Sequence, residues 1–159
     1  MKGDAIFDST GCYRYLLRRW WDEQLPTVGF IMLNPSRADA TANDPTIRRC
    51  IGFAQLWGYG SLMVANLFAY RATQSKVLAG VADPIGPDND RHLLALIDQS
   101  EQIILAWGDR GMLLNRSQAV LHLLFGKETH CLGQNKTGQP RHPLYIKKAT
   151  QPTLFVSEQ

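Results

Sequence analysis

Apolar residues in this chain come in short unbroken runs, and several of the stretches between them carry their apolar positions on one helical face. That is the pattern of buried strands alternating with helices. The run at 28–33 is broken only by Gly29 and predicts a strand covered on both faces. Asn34-Pro35-Ser36 ends it, because proline cannot donate to a ladder. Asp44-Pro45 then opens a helix, with Asp44 as N-cap and Pro45 at the first helical position. Ile47, Cys50, Ile51, Ala54 and Trp57 share one stripe of that helix, Arg48, Arg49 and Gln55 face elsewhere, and Gly58 closes it. The loop joining strand to helix is long and polar, which suggests a site rather than a simple turn.

The rest of the pattern repeats this alternation. Residues 13–21 alternate imperfectly, with Tyr13, Tyr15, Leu17 and Trp21 on one side and Arg14 and Arg18 on the other, which predicts an antiparallel edge strand. SLMVAN at 61–66 is a second buried strand, and the helix crossover before it implies parallel pairing. Residues 69–87 are irregular, with a short helix at 75–81. A helix at 88–99 has Leu93, Leu94, Leu96 and Ile97 inside, and strand 102–107 follows it. A third helix covers 111–125, a short strand 129–132, a loop 133–145, and a small edge strand 153–156. Together these elements predict one α/β domain over 1–159: three layers, α/β/α, with a four-stranded parallel core and edge strands.

Composition narrows the class. With 159 residues, 45% apolar and 19% charged, the chain can bury one sizeable core. The net charge of +3 permits a polyanionic partner without demanding one. No apolar run approaches membrane-spanning length, and the opening Met-Lys-Gly-Asp does not read as a signal peptide. Cys12, Cys50 and Cys131 are odd in number and widely spaced, as expected of reduced thiols. A cytoplasmic protein is the expectation. No metal signature, P-loop or dinucleotide fingerprint occurs, so no cofactor is expected.

Parallel sheets bind ligands at the carboxyl ends of their strands. The loops there follow Leu33, Asn66, Trp107 and Leu132, and each brings an arginine: Arg37, Arg71, Arg110 and Arg141. The opposite edge carries Glu101 and Glu128, with Lys127 as an exception. With a helix N-terminus at Asp44-Pro45, the predicted active edge suits a phosphate-bearing ligand.

Within those loops, Asn34 either positions water or ligand or caps its own turn. Asp39 is a base, a metal ligand or a solvated loop carboxylate. Asn66 ends an otherwise apolar run, so it joins a buried network or reads a ligand. Trp107 belongs to the core or offers a stacking face. The near-neutral titration of a histidine at 142 suits acid–base work. His92 and His122 sit in predicted helices, and His130 and Cys131 point opposite ways on a strand.

FIMLNPSRADATANDPTIRRCIGFAQLWGYG, NLFAYRAT, ILAWG and CLGQNKTGQPRHPLY together resemble domain-of-unknown-function family 1643 over nearly the whole chain. Four shorter elements resemble the uracil-DNA glycosylase superfamily: Asn34-Pro35, Asn66, Ala106-Trp107-Gly108 and His142-Pro143. That second resemblance implies a glycosylase-like fold and a nucleobase pocket. Asn34 would position water, Asn66 would read a base edge, and His142 would stabilise a developing oxyanion; with Asp39, a candidate from the loop itself, the catalytic set is Asn34, Asp39 and His142. Pro35, Ser36, Asn66 and Trp107 would contact substrate, and Arg37, Arg71 and Arg141 would hold phosphates. The implied activity is hydrolysis of an N-glycosidic bond, or a base modification in the same pocket. The implied partner is a nucleotide or nucleic acid, DNA or RNA, with the target base single-stranded or flipped. The alternatives are a non-catalytic nucleotide or nucleic-acid binder and a hydrolase or transferase acting on a small anion.

Overall fold

The structure is a computed structural model and describes residues 1–157. Its centre is a mixed seven-stranded sheet in the order β1-β2-β4-β3-β5-β6-β7. The strands are β1 (Lys2–Phe7), β2 (Arg14–Trp20), β3 (Thr27–Met32), β4 (Ser61–Asn66), β5 (Gln102–Leu105), β6 (His130–Cys131) and β7 (Thr153–Leu154). β3 pairs in parallel with both β4 and β5, and β5 pairs in parallel with β6. The outer pairings, β1 with β2, β2 with β4 and β6 with β7, are antiparallel.

Helices cover both faces, because alternate residues of β3, β4 and β5 are apolar in both directions. Val28, Phe30, Leu62, Val64 and Ile104 pack with α1 (Pro45–Leu56) through Ile47, Cys50, Ile51, Phe53 and Ala54. Ile31, Met63, Ala65, Ile103 and Leu105 pack on the other face with α2 (Asn89–Gln99) and α3 (Arg116–Leu123). Gly29 permits the close approach of α2: a β-carbon there would stand 2.5 Å from Ser100 Oγ and 2.7 Å from Leu96 Cδ2. The loop after β3 turns toward α1 and the segment after β5 toward α3. A crevice therefore opens at the carboxyl ends of these neighbours.

Several expectations need correction. The strand at 14–20 is internal, because β1, whose mixed and half-exposed residues give no apolar run, pairs along its outer side. Its alternation is broken by an irregularity where Ile6 pairs with Leu16 but Phe7 with Arg14. Arg14 is consequently buried; Arg19, on the side of Leu17, is buried too, while Arg18 stays exposed and pairs with Asp4. The helix expected at 111–125 is a 3-10 segment, Asp109–Asn115, followed by the shorter α3. Leu114 and Asn115 adopt φ of 53° and 57°, which interrupts the helical ladder. Leu94 is 46% exposed, one position off the buried stripe of α2. The helix at 75–81 is a 3-10 turn, Ser75–Gly80.

Candidate functional site

The loop after β3 begins with Asn34, whose Nδ2 donates to the carbonyls of Pro35 at 3.0 Å and Ala72 at 2.9 Å. The Pro35 carbonyl also accepts the Ala72 N–H at 2.9 Å, so the loops following β3 and β4 are sewn together at the sheet edge. Among the described residues Asn34 Oδ1 accepts no hydrogen bond and is left as an acceptor.

Further along, Asp44 caps α1. Its Oδ1 accepts the Ile47 N–H at 2.9 Å and its Oδ2 the Ala38 N–H at 3.3 Å, so both carboxylate oxygens are engaged by backbone. Pro45 has no N–H, which leaves the Thr46 amide as the free donor of the first turn.

The loop after β6 folds back over the end of β5. The Gly108 N–H donates to Pro140 O at 2.8 Å and the Arg141 N–H to Gly133 O at 2.9 Å. This places His142 beside Gly108. The Leu144 N–H donates to His142 Nδ1 at 3.3 Å, so a neutral His142 carries its proton on Nε2. Burial holds the imidazole below its ordinary value of 6.5, with Asp44 pulling weakly the other way.

These segments enclose one cleft of about 430 Å³. The β3 loop contributes Leu33, Asn34, Ser36 and Arg37, and the start of α1 contributes Asp44, Pro45 and Thr46. Ala72, Thr73 and Ser75 come from the turn after β4, and His142 and Leu144 from the last loop. A separate groove of about 380 Å³, lined by Arg18, Trp20, Glu23, Thr27 and Gln99 among others, lies at the opposite ends of the strands, away from these residues.

Of the sequence-predicted set, Asn34, Ser36, Arg37 and His142 thus share the cleft, with Pro35 supplying backbone behind it. The others lie elsewhere. Asp39 accepts the N–H groups of Thr41 and Ala42 and closes its own loop, which holds its carboxyl below the usual range. Asn66 is 1% exposed, on the α1-facing side with Leu62 and Val64, and its amide finds no hydrogen-bond partner among the described residues. Trp107 is buried and donates Nε1–H to Gln139 Oε1 at 2.7 Å. Arg71 leans away over the Phe7 ring and donates to Gly11 O, while Arg110 and Arg141 are exposed.

Sequence reasoning missed the hydroxyls of Thr46, Thr73 and Ser75: Thr46 reads only as part of the first turn of a helix, and Thr73 and Ser75 fall in a stretch that reads as irregular. It also missed Arg14 and Arg19 behind the loop. Arg14 Nη1 donates to Ala38 O at 3.1 Å, and burial pushes its guanidinium down to about 10. Arg19 donates to Ala40 O at 3.2 Å, Ala42 O at 3.0 Å, Asp39 O and Asn43 Oδ1. The wall carrying Asn34 and Arg37 is therefore braced from β2.

Among the described residues, no group of three or more His, Cys, Asp or Glu stands close enough to hold a metal ion, and no helix is long and apolar enough to cross a membrane. The family model described as a protein of unknown function, DUF1643, matches residues 14–144. No curated protein and no solved structure matches the chain.

Proposed function

The chain belongs to the DUF1643 family, and from that premise we propose that it is an enzyme acting on a nucleobase, nucleoside or nucleotide unit bound in the cleft between Asn34 and His142. The observation that carries this reading is that Asn34, Arg37 and His142, three different chemistries from two distant loops, line one cleft. Asn34 Oδ1 is the acceptor that orients a water. His142 Nε2–H is the donor for charge developing on a leaving base. Arg37, the Thr46 amide and the hydroxyls of Ser36, Thr73 and Ser75 meet a phosphate. In the hydrolytic version the water oxygen bonds to the anomeric carbon as the N-glycosidic bond breaks. The base departs with the bonding electron pair, and the water proton passes to solvent.

The resemblance to uracil-DNA glycosylases supports this at two of its four elements, Asn34-Pro35 and His142-Pro143. Asn66 and Trp107 are buried and do not line the cleft. A second reading, a nucleotide or nucleic-acid binder without chemistry, is favoured by one feature: the carboxylate in the cleft, Asp44, already accepts two backbone N–H groups and is no free base.

The test is a binding and turnover screen with the purified protein. Single- and double-stranded oligonucleotides carrying uracil or damaged bases, and a nucleotide panel, are offered to wild type, Asn34→Ala and His142→Ala. Base release by wild type alone supports the enzyme. Binding without release, weakened in both variants, supports the binder. Silence on every nucleotide and nucleic acid removes both.

A further inference from the structure

Leu144 lines the cleft, and the residue after it, Tyr145, is 99% exposed with φ of +69°. A bulky side chain rarely adopts the left-handed region, and such a conformation persists only where its surroundings fix it. Here they do. Pro143 is buried and its carbonyl accepts Arg49 Nε–H at 3.3 Å, and Ile146 is buried in the core beneath α1. With both flanks anchored, Tyr145 is turned outward, and a ring wholly in water contributes nothing to the fold. An aromatic ring held in this way, one residue on from a cleft-lining position, is available as a stacking surface.

Exposed cations adjoin it along the chain and adjoin the cleft lining. Arg37 lines the cleft, Arg141 and Lys76 adjoin the lining residues His142 and Ser75, and Lys147 and Lys148 follow Tyr145 closely, all exposed. None of them is in an ion pair among the described residues, whose salt bridges involve Arg18, Arg91, Arg116 and His130 instead. Only Arg37 of this group lines the cleft. The rest do not line it and are left for flanking phosphates.

We propose that Tyr145 and this basic rim bind single-stranded nucleic acid, with one nucleotide in the cleft, a neighbouring base stacked on Tyr145 and flanking phosphates on the cations. This rests on the cleft being a nucleotide site. A single strand is specified because a ring offered face-on needs an unstacked base, which a duplex withholds.

The experiment is fluorescence anisotropy with a labelled 12-mer as single-stranded DNA, single-stranded RNA and duplex DNA, with unlabelled mononucleotides as competitors. Wild type is expected to bind a single strand at least tenfold more tightly than duplex, with affinity falling as salt rises. The DNA and RNA arms tell which backbone is preferred. Tyr145→Ala should weaken binding about 5- to 100-fold, with the thermal midpoint and the salt slope unchanged, and Tyr145→Phe should restore it. Lys147→Gln with Lys148→Gln should reduce the salt slope. Binding by Tyr145→Ala equal to wild type, or duplex bound as tightly as single strand, overturns the proposal. Mononucleotide binding that is lost in Asn34→Ala, without tighter binding of oligonucleotides, overturns it while leaving the cleft reading intact. Failure of every probe overturns both.

Discussion

Asn34 and Ala72, 38 residues apart in sequence, are joined across the sheet edge by one hydrogen bond of 2.9 Å from the asparagine amide to the alanine carbonyl. The same amide group holds Pro35 O. Asn34 therefore has two separable jobs: Nδ2 fixes the floor of the cleft and Oδ1 faces outward. Asn34→Ala should cost about 1 kcal/mol of stability, the net worth of a typical internal hydrogen bond, and should loosen the turn at Thr73 and Ser75. Urea denaturation and nucleotide affinity measured on the same samples check this. A variant of full stability and full affinity would show that neither job matters.

His142 gives the site a pH signature. Because burial depresses its folded value below 6.5, the native state takes up a proton less readily than the unfolded chain does. Stability is fully present above about pH 6.5 and is lost as pH falls below it, until the folded imidazole itself protonates. His92, depressed first by burial and then by Arg91, acts in the same sense. The urea midpoint should fall on acidification through this window, and His142→Gln should flatten part of the slope. A midpoint that rises instead would mean that His142 is charged in the fold.

Arg19 should matter more than an exposed arginine of β2. It is 2% exposed and its guanidinium is spread over the carbonyls of residues 39, 40 and 42. Arg19→Ala leaves those acceptors unpaired, at a cost on the order of 3 kcal/mol. Arg18→Ala, which removes a surface pair with Asp4, should cost under about 1 kcal/mol. Hydrogen exchange in Arg19→Ala should accelerate at the Thr41 and Ala42 amides, which rest on the Asp39 carboxylate. Equal effects of the two substitutions would refute the brace.

The elements that announced themselves in sequence are those fixed by local chemistry. Ser61–Asn66 was legible because four apolar residues, Leu62 to Ala65, run unbroken between polar ends, and α1 because Asp44-Pro45 marks its start chemically. β1 was not, since its half-polar residues become a strand only by pairing with β2. The break before α3 falls at Leu114 and Asn115, with no glycine or proline at either position to mark it. At the site, Asn34, Ser36, Arg37 and His142 could be found because loops at a carboxyl edge have few directions to face. Asn66 and Trp107 sit at strand ends where the pleat turns side chains inward. Arg14 escaped notice because the irregular register beside it inverts its apparent side, and Arg19, which shares the side of Leu17, because a charged residue gives no inward signal.

The family match spans residues 14–144, whereas the strands closing the sheet, β1 at Lys2–Phe7 and β7 at Thr153–Leu154, both fall beyond it. A chain trimmed to the matched span would keep every cleft residue and lose both borders. β2 and β6 would then present bare ladders to one another across molecules, and such edges recruit neighbouring chains. A piece cut to the family span is therefore expected to self-associate, because the half-polar β1 is the hem that covers the largely buried β2.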